Sequence, residues 1–220
     1  MWARREIGVA VTSLVVGSAG QLVQYLVSPL GSQGEAPAEK IARAVAHPTA
    51  MAWAAWLDLT ILFFLPALVV VAALAQARTT RLGWVAAVIA IGTTVPGIAY
   101  LFAPDVLYLG AAHGDVTAEA IAAYNGAAVV VVSTLVFLAG HVVGLLLLGV
   151  ALWRTGTVPR WAAVCLALSP FLEIAGGATG LRPVAVAGYV LLIACFAACA
   201  AAVARPDSRA VVSPPALARP

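Results

Sequence analysis

Three ionisable residues, Asp58, His141 and Glu173, sit inside long apolar stretches. In a membrane, such groups cost several kcal/mol, face the interior of a bundle and are functional candidates by default. Their depths follow from the helical rise. His141 is 12 residues from Trp153 and Glu173 is 12 from Trp161, which places each about 18 Å from one boundary. Asp58 is 8 residues from Ala50, about 12 Å from the opposite boundary, and in a hydrocarbon core of about 30 Å that is the same height. The three therefore form one layer, slightly off the midplane. Two ionised carboxylates in such a layer repel and are poorly solvated. The layer calls for a shared proton, a protonated His141 or a bound cation.

Other polar and small residues reach the same height. Gly17, Gln21, Gln24 and Ser28 share a helix face, with Tyr25 beside them. Thr93, Gly97 and Tyr100 do the same on a later stretch; Thr134 precedes His141 by seven residues and Ser169 precedes Glu173 by four. Gly140 and Gly144 flank His141 in a GxxxG spacing that lets another backbone approach. Pro66, Pro96 and Pro170 can kink three helices and free carbonyls near the layer. The candidate ligand-binding set is Asp58, His141, Glu173, Gln21, Gln24, Tyr25, Thr93 and Ser169. The expected ligand is a small cation, a proton or a polar molecule, in a transporter-like or sensor-like protein. Two other readings stand beside it. The same residues could hold a metal for intramembrane hydrolysis, although catalytic zinc more often takes two or three histidines. Or they could be interhelical hydrogen-bond glue.

Other chemistry is absent. The chain has no HExxH, GxSxG or P-loop motif. His47 and His113 fall outside the apolar stretches, so a transmembrane bis-histidine haem is not supported. No cofactor and no catalytic residue is called for. Cys195 and Cys199 share a helix face, but three cysteines in apolar runs read as small core residues and fit no disulfide framework.

The elements that must position this layer are six apolar stretches, near 7–30, 50–77, 82–103, 126–153, 161–178 and 184–204. Each is continuous rather than alternating and long enough to cross a bilayer as a helix. Arg4 and Arg5 followed by Gly17-Ser18-Ala19-Gly20 could mark a signal peptide. The apolar character continues to Leu30, so a retained helix is the better reading. Of 220 residues, 63% are hydrophobic and only 10% charged, against about 25% charged in soluble domains. That excludes a soluble domain and a disordered chain. A net charge of +3 without a basic, aromatic stripe excludes a nucleic-acid reader. The expected fold is all-α: a polytopic bundle of six transmembrane helices over residues 1–204, followed by a Pro-rich, disordered cytoplasmic tail, 205–220. Short surface helices are expected at 38–46 and at 117–124, the latter with Thr117 as N-cap. The lipid bilayer is the expected partner.

Orientation follows from the basic residues. Arg4, Arg5, Arg78, Arg81, Arg154, Arg160, Arg205, Arg209 and Arg219 fall on the side of both termini; Lys40, Arg43 and Arg182 fall on the other. Both termini are thus expected in the cytoplasm. Glu35, Glu39, Asp105, Asp115 and Glu119 are assigned to the outer loops. The likeness of Arg81-Leu-Gly-Trp84 to Arg160-Trp161 reflects shared interface chemistry as well as it would a duplication.

The run Leu138-Ala-Gly-His141-Val-Val-Gly-Leu-Leu-Leu-Leu-Gly149, then Val158-Pro-Arg-Trp161-Ala-Ala163, together with His47-Pro48 and Trp56-Leu57-Asp58-Leu59, resembles bacterial six-helix membrane proteins that carry domain-of-unknown-function labels. They are frequent in high-GC genomes, and eleven arginines against one lysine suit that source. The resemblance implies a six-helix fold in the bacterial inner membrane and brings no activity with it.

Overall fold

The structure is a computed structural model that describes residues 4–32 and 34–205. The tail expected to be disordered falls, from residue 206 onward, outside the described residues, as do the side chains of residues 99–102, Tyr100 among them. The described chain is all-helical, and six of its helical segments are long and apolar enough to cross a membrane. The first is α1 (Arg4–Val27). The second is broken: α2 (Pro37–Ala46) leads into α3 (Pro48–Asp58), a 3-10 segment (Leu59–Phe63) and α4 (Phe64–Gln76). Then come α5 (Thr80–Ala112), the short α6 (Ala118–Gly126), α7 (Ala128–Thr155), α8 (Arg160–Thr179) and α9 (Arg182–Ala204). Both short helices form where expected, and the Thr117 hydroxyl caps α6 by accepting the Ala120 N–H.

Local chemistry sets the boundaries. Gly156 and Gly180 end α7 and α8 in the left-handed region (φ +64° and +73°), which only glycine enters without strain. The second span breaks because Pro66 cannot donate to the Leu62 carbonyl and its ring crowds that turn. The chain tightens upstream into 3-10 geometry, and the Thr60 hydroxyl bonds the Leu57 carbonyl (2.7 Å). The third span differs from expectation. It was expected to end near 103, before Pro104, yet α5 runs through Pro96 and Pro104 to Ala112. A proline in a transmembrane helix loses one hydrogen bond without ending the helix, because neighbouring helices and local adjustments satisfy the freed backbone groups. Asp105 is thereby carried out of the expected outer loop and into the bundle, where it is 7% exposed.

The spans close into a ring. Each packs on its sequence neighbour, and α9 returns against α1. Of the two halves of the broken span, α4 is the more central, touching α1, α5, α7 and α9. Close approach depends on small residues. Gly140 packs against Thr93 and Gly144 against the Ala90 backbone, so the GxxxG pair of α7 seats on α5 as its spacing predicts. Gly17 of α1 meets the backbone of Phe63 and Phe64, and Gly20 meets Thr60. The outer surface is apolar: Val69, Val88, Val132, Leu135 and Leu168 are exposed. Exposed tryptophans sit toward the two ends, Trp84, Trp153 and Trp161 at the arginine-rich end and Trp53 and Trp56 near the other. Arg160 stacks 5.3 Å over the Trp153 ring.

Candidate functional site

A cavity of about 190 Å³ opens in the half of the bundle nearer α2 and α6. Its volume suffices for several waters, since each needs roughly 10–15 Å³ measured in this way. Gln21, Asp58, Phe64, Thr94, Phe137, His141, Glu173 and Tyr189 line it, with Ile61, Leu138, Ile174 and Leu192 filling between them. The three ionisable residues placed in one layer by depth alone thus meet at one cavity, along with Gln21.

Each is positioned by a local feature. Asp58 is the last residue of α3, at the start of the 3-10 break, and is 9% exposed. Gln21 reaches across from α1 and donates to the Thr60 hydroxyl (3.2 Å) inside that break. His141 is 8% exposed, its ring stacked on Phe137 one turn earlier (centroids 5.2 Å apart) and beside Phe64 (6.2 Å). Its Nε2 lies 3.5 Å from Glu173 Oε2. Gly188 of α9 makes room for the Glu173 side chain, because a Cβ there would strike it. The other Glu173 oxygen, Oε1, is buried with no hydrogen-bond partner among the described residues.

Asp105 is the residue that the sequence reading missed. Its carboxyl lies within interaction distance of that of Asp58, and Gln24 Nε2 donates to Asp105 Oδ2 (2.7 Å). Two carboxyl groups brought together in this way pair favourably only when they share a proton. Lys40 of α2 lies within electrostatic reach of Asp105 and over the Tyr108 ring (6.0 Å). Burial holds the Lys40 ammonium below the usual lysine range, while the Asp105 charge acts in the opposite sense.

The remaining candidates separate. Gln24 serves the Asp58–Asp105 pair and does not line the cavity. Tyr25 packs on Tyr189 (5.4 Å) at its edge. Thr93 faces Gly140 and bonds its own helix at the Ile89 carbonyl; the neighbouring Thr94 lines the cavity instead. Ser169 is fully buried and donates to the Leu166 carbonyl (3.2 Å), the group that Pro170 leaves without a donor. Helix geometry explains these two corrections: one residue along a helix is 100° around it, so depth was right and rotation was not. Tyr189, Phe64 and Phe137 were not singled out, because aromatic residues in apolar runs face lipid as often as a cavity.

Comparison with protein-family models, curated proteins and solved structures yields no significant match. The resemblance seen in the sequence therefore attaches the chain to no family, and its function rests on the cavity alone. Among the described residues, no three His, Cys, Asp or Glu side chains converge closely enough to hold a metal ion. His141 and Glu173 form a pair, and Asp58 is committed to Asp105. Cys195 and Cys199 are buried in the core around Phe196.

Proposed function

We propose that this chain is a multi-pass protein of the bacterial inner membrane with both termini in the cytoplasm, and that its cavity binds a small cation as a transporter-like or sensor-like unit. The observation that carries the reading is Glu173, whose side chain lines the cavity and whose Oε1 is buried with no hydrogen-bond donor among the described residues. Hydrogen-bond glue satisfies its members, since an unmade buried bond costs about 1–3 kcal/mol. A site leaves one open for its ligand. Asp58 adds a second carboxyl group to the same wall, and the lining residues include no Lys or Arg.

The test is thermal melting of the detergent-solubilised chain with sodium, potassium, ammonium and tetramethylammonium chlorides. At least one should give a saturable rise in Tm, and Glu173→Gln should abolish that rise while leaving the Tm without added cation nearly unchanged. If none of the four salts raises the Tm, or if Glu173→Gln itself destabilises strongly, the cavity is structural and the reading fails.

Orientation has its own test. Nine of twelve basic residues fall on the side assigned to the cytoplasm. In a background lacking Cys165, Cys195 and Cys199, Asp115→Cys should label with a membrane-impermeant maleimide on intact spheroplasts, and Thr80→Cys only after lysis. Equal labelling of both in intact cells would overturn the topology.

A further inference from the structure

We infer that the cavity is a site for a small organic ammonium ion rather than a metal cation. The inference rests on the cation reading above and specifies its chemistry.

Aromatic faces and carboxylates line the space together. The rings of Phe64, Phe137, His141 and Tyr189 contribute to the wall that also carries Asp58 and Glu173. An ammonium bearing alkyl groups matches such a lining. Its charge is attracted by ring quadrupoles and carboxylates, and its methyl or methylene groups fill the apolar remainder. Metal cations fit it poorly. Sodium, potassium or calcium needs a shell of about six or more oxygens to replace its water, and most of this wall is carbon. The described residues also bring no three metal-ligating side chains together. An anion is opposed by the acidic lining.

The edge of the site already binds a cation in this manner. The Arg182 guanidinium lies 5.9 Å over the Tyr25 ring, with its Nη2 donating to the carbonyls of Tyr25 (3.3 Å) and Ser28 (3.0 Å). Tyr25 in turn packs on Tyr189, whose ring lines the cavity. The cavity beyond presents the same kind of aromatic surface, with Glu173 on its wall.

Size narrows the class. A cavity of about 150 Å³ accepts benzene, with six heavy atoms. At about 190 Å³, this one suits an ammonium compound of roughly six to eight heavy atoms, by the same scaling. Choline is of that size, and 3,3-dimethyl-1-butanol is its uncharged isostere.

The experiment is calorimetric titration of the full chain in detergent with choline, tetramethylammonium, 3,3-dimethyl-1-butanol, sodium and potassium. Choline or tetramethylammonium should bind at least about tenfold more tightly than the neutral alcohol and the two metal ions, as expected for one desolvated cation–π contact plus a carboxylate. Phe137→Leu should weaken the organic cations about tenfold, and Phe137→Trp, which keeps an aromatic face, should hold or improve them. Melting of both variants checks that they fold; if neither does, Tyr189→Leu on α9 takes their place, with the same loss expected. Equal binding of choline and its alcohol isostere would overturn the inference, as would insensitivity to both aromatic positions. Sodium or potassium binding that matches choline would overturn it and leave the cation reading standing. Failure of every charged probe would overturn both.

Discussion

Gly144→Leu should cost the bundle about 3 kcal/mol, at or above the usual 1–3 kcal/mol range for overpacking. The reason is what the new side chain meets. A Cβ at Gly144 runs into Ala90 N and Cα, which belong to the α5 backbone and cannot rotate aside. The two helices must separate, and Thr94 on one and Phe137 and His141 on the other separate with them. Gly140→Ala is the milder companion, since its Cβ meets the Thr93 side chain. Adding Thr93→Ala should recover only part of that loss, because the Cβ at 93 still meets the new methyl group, whereas no side-chain change at Ala90 should rescue Gly144→Leu. Unfolding in mixed micelles measures all of these. A Gly144→Leu protein as stable as the parent would mean that α5 and α7 do not touch as described.

The second large effect is expected at Asp105. Asp105→Leu removes the partner of both Gln24 and Asp58 and leaves two polar groups buried without bonds. At about 1–3 kcal/mol for each, the loss should reach roughly 2–6 kcal/mol. Asp105→Asn should cost under about 1 kcal/mol, because its amide offers an acceptor oxygen to Gln24 and a donor to Asp58. The same unfolding measurement decides it: equal destabilisation by Leu and Asn would show that the hydrogen bonds are not what Asp105 contributes.

Much of this arrangement was legible before any coordinates. Continuous apolar runs locate five of the six spans to within about three residues at both ends, and the third at its start only, because length and hydropathy are one-dimensional properties. The depth of Asp58, His141 and Glu173 was legible for the same reason: counting along a helix measures height. Rotation about the axis is not counted that way. Thr93 was therefore chosen where Thr94 lines the cavity, and Ser169 was chosen although it repairs the helix around Pro170. Asp105 was lost to a rule that holds better in water. A proline usually stops a helix in solution, whereas among packed helices α5 continues through Pro104 and buries the next residue. The 3-10 break at Leu59–Phe63 was foreshadowed only by Pro66, which announces a disturbance without its extent.

The return of α9 against α1 has a consequence for biosynthesis. These two helices stand at opposite ends of the described chain, yet Gly17, Gln21 and Tyr25 of α1 belong to the same polar region as Tyr189 and Arg182 of α9. As spans emerge in order, α1 enters the bilayer with a glycine- and glutamine-bearing face and waits through the insertion of every later span for its last neighbour. In that interval Arg182 has not arrived to cover the Tyr25 and Ser28 carbonyls. The nascent protein thus carries an unfinished seam until α9 is inserted, and a ribosome stalled within α9 would present that seam to the machinery that removes incomplete membrane proteins.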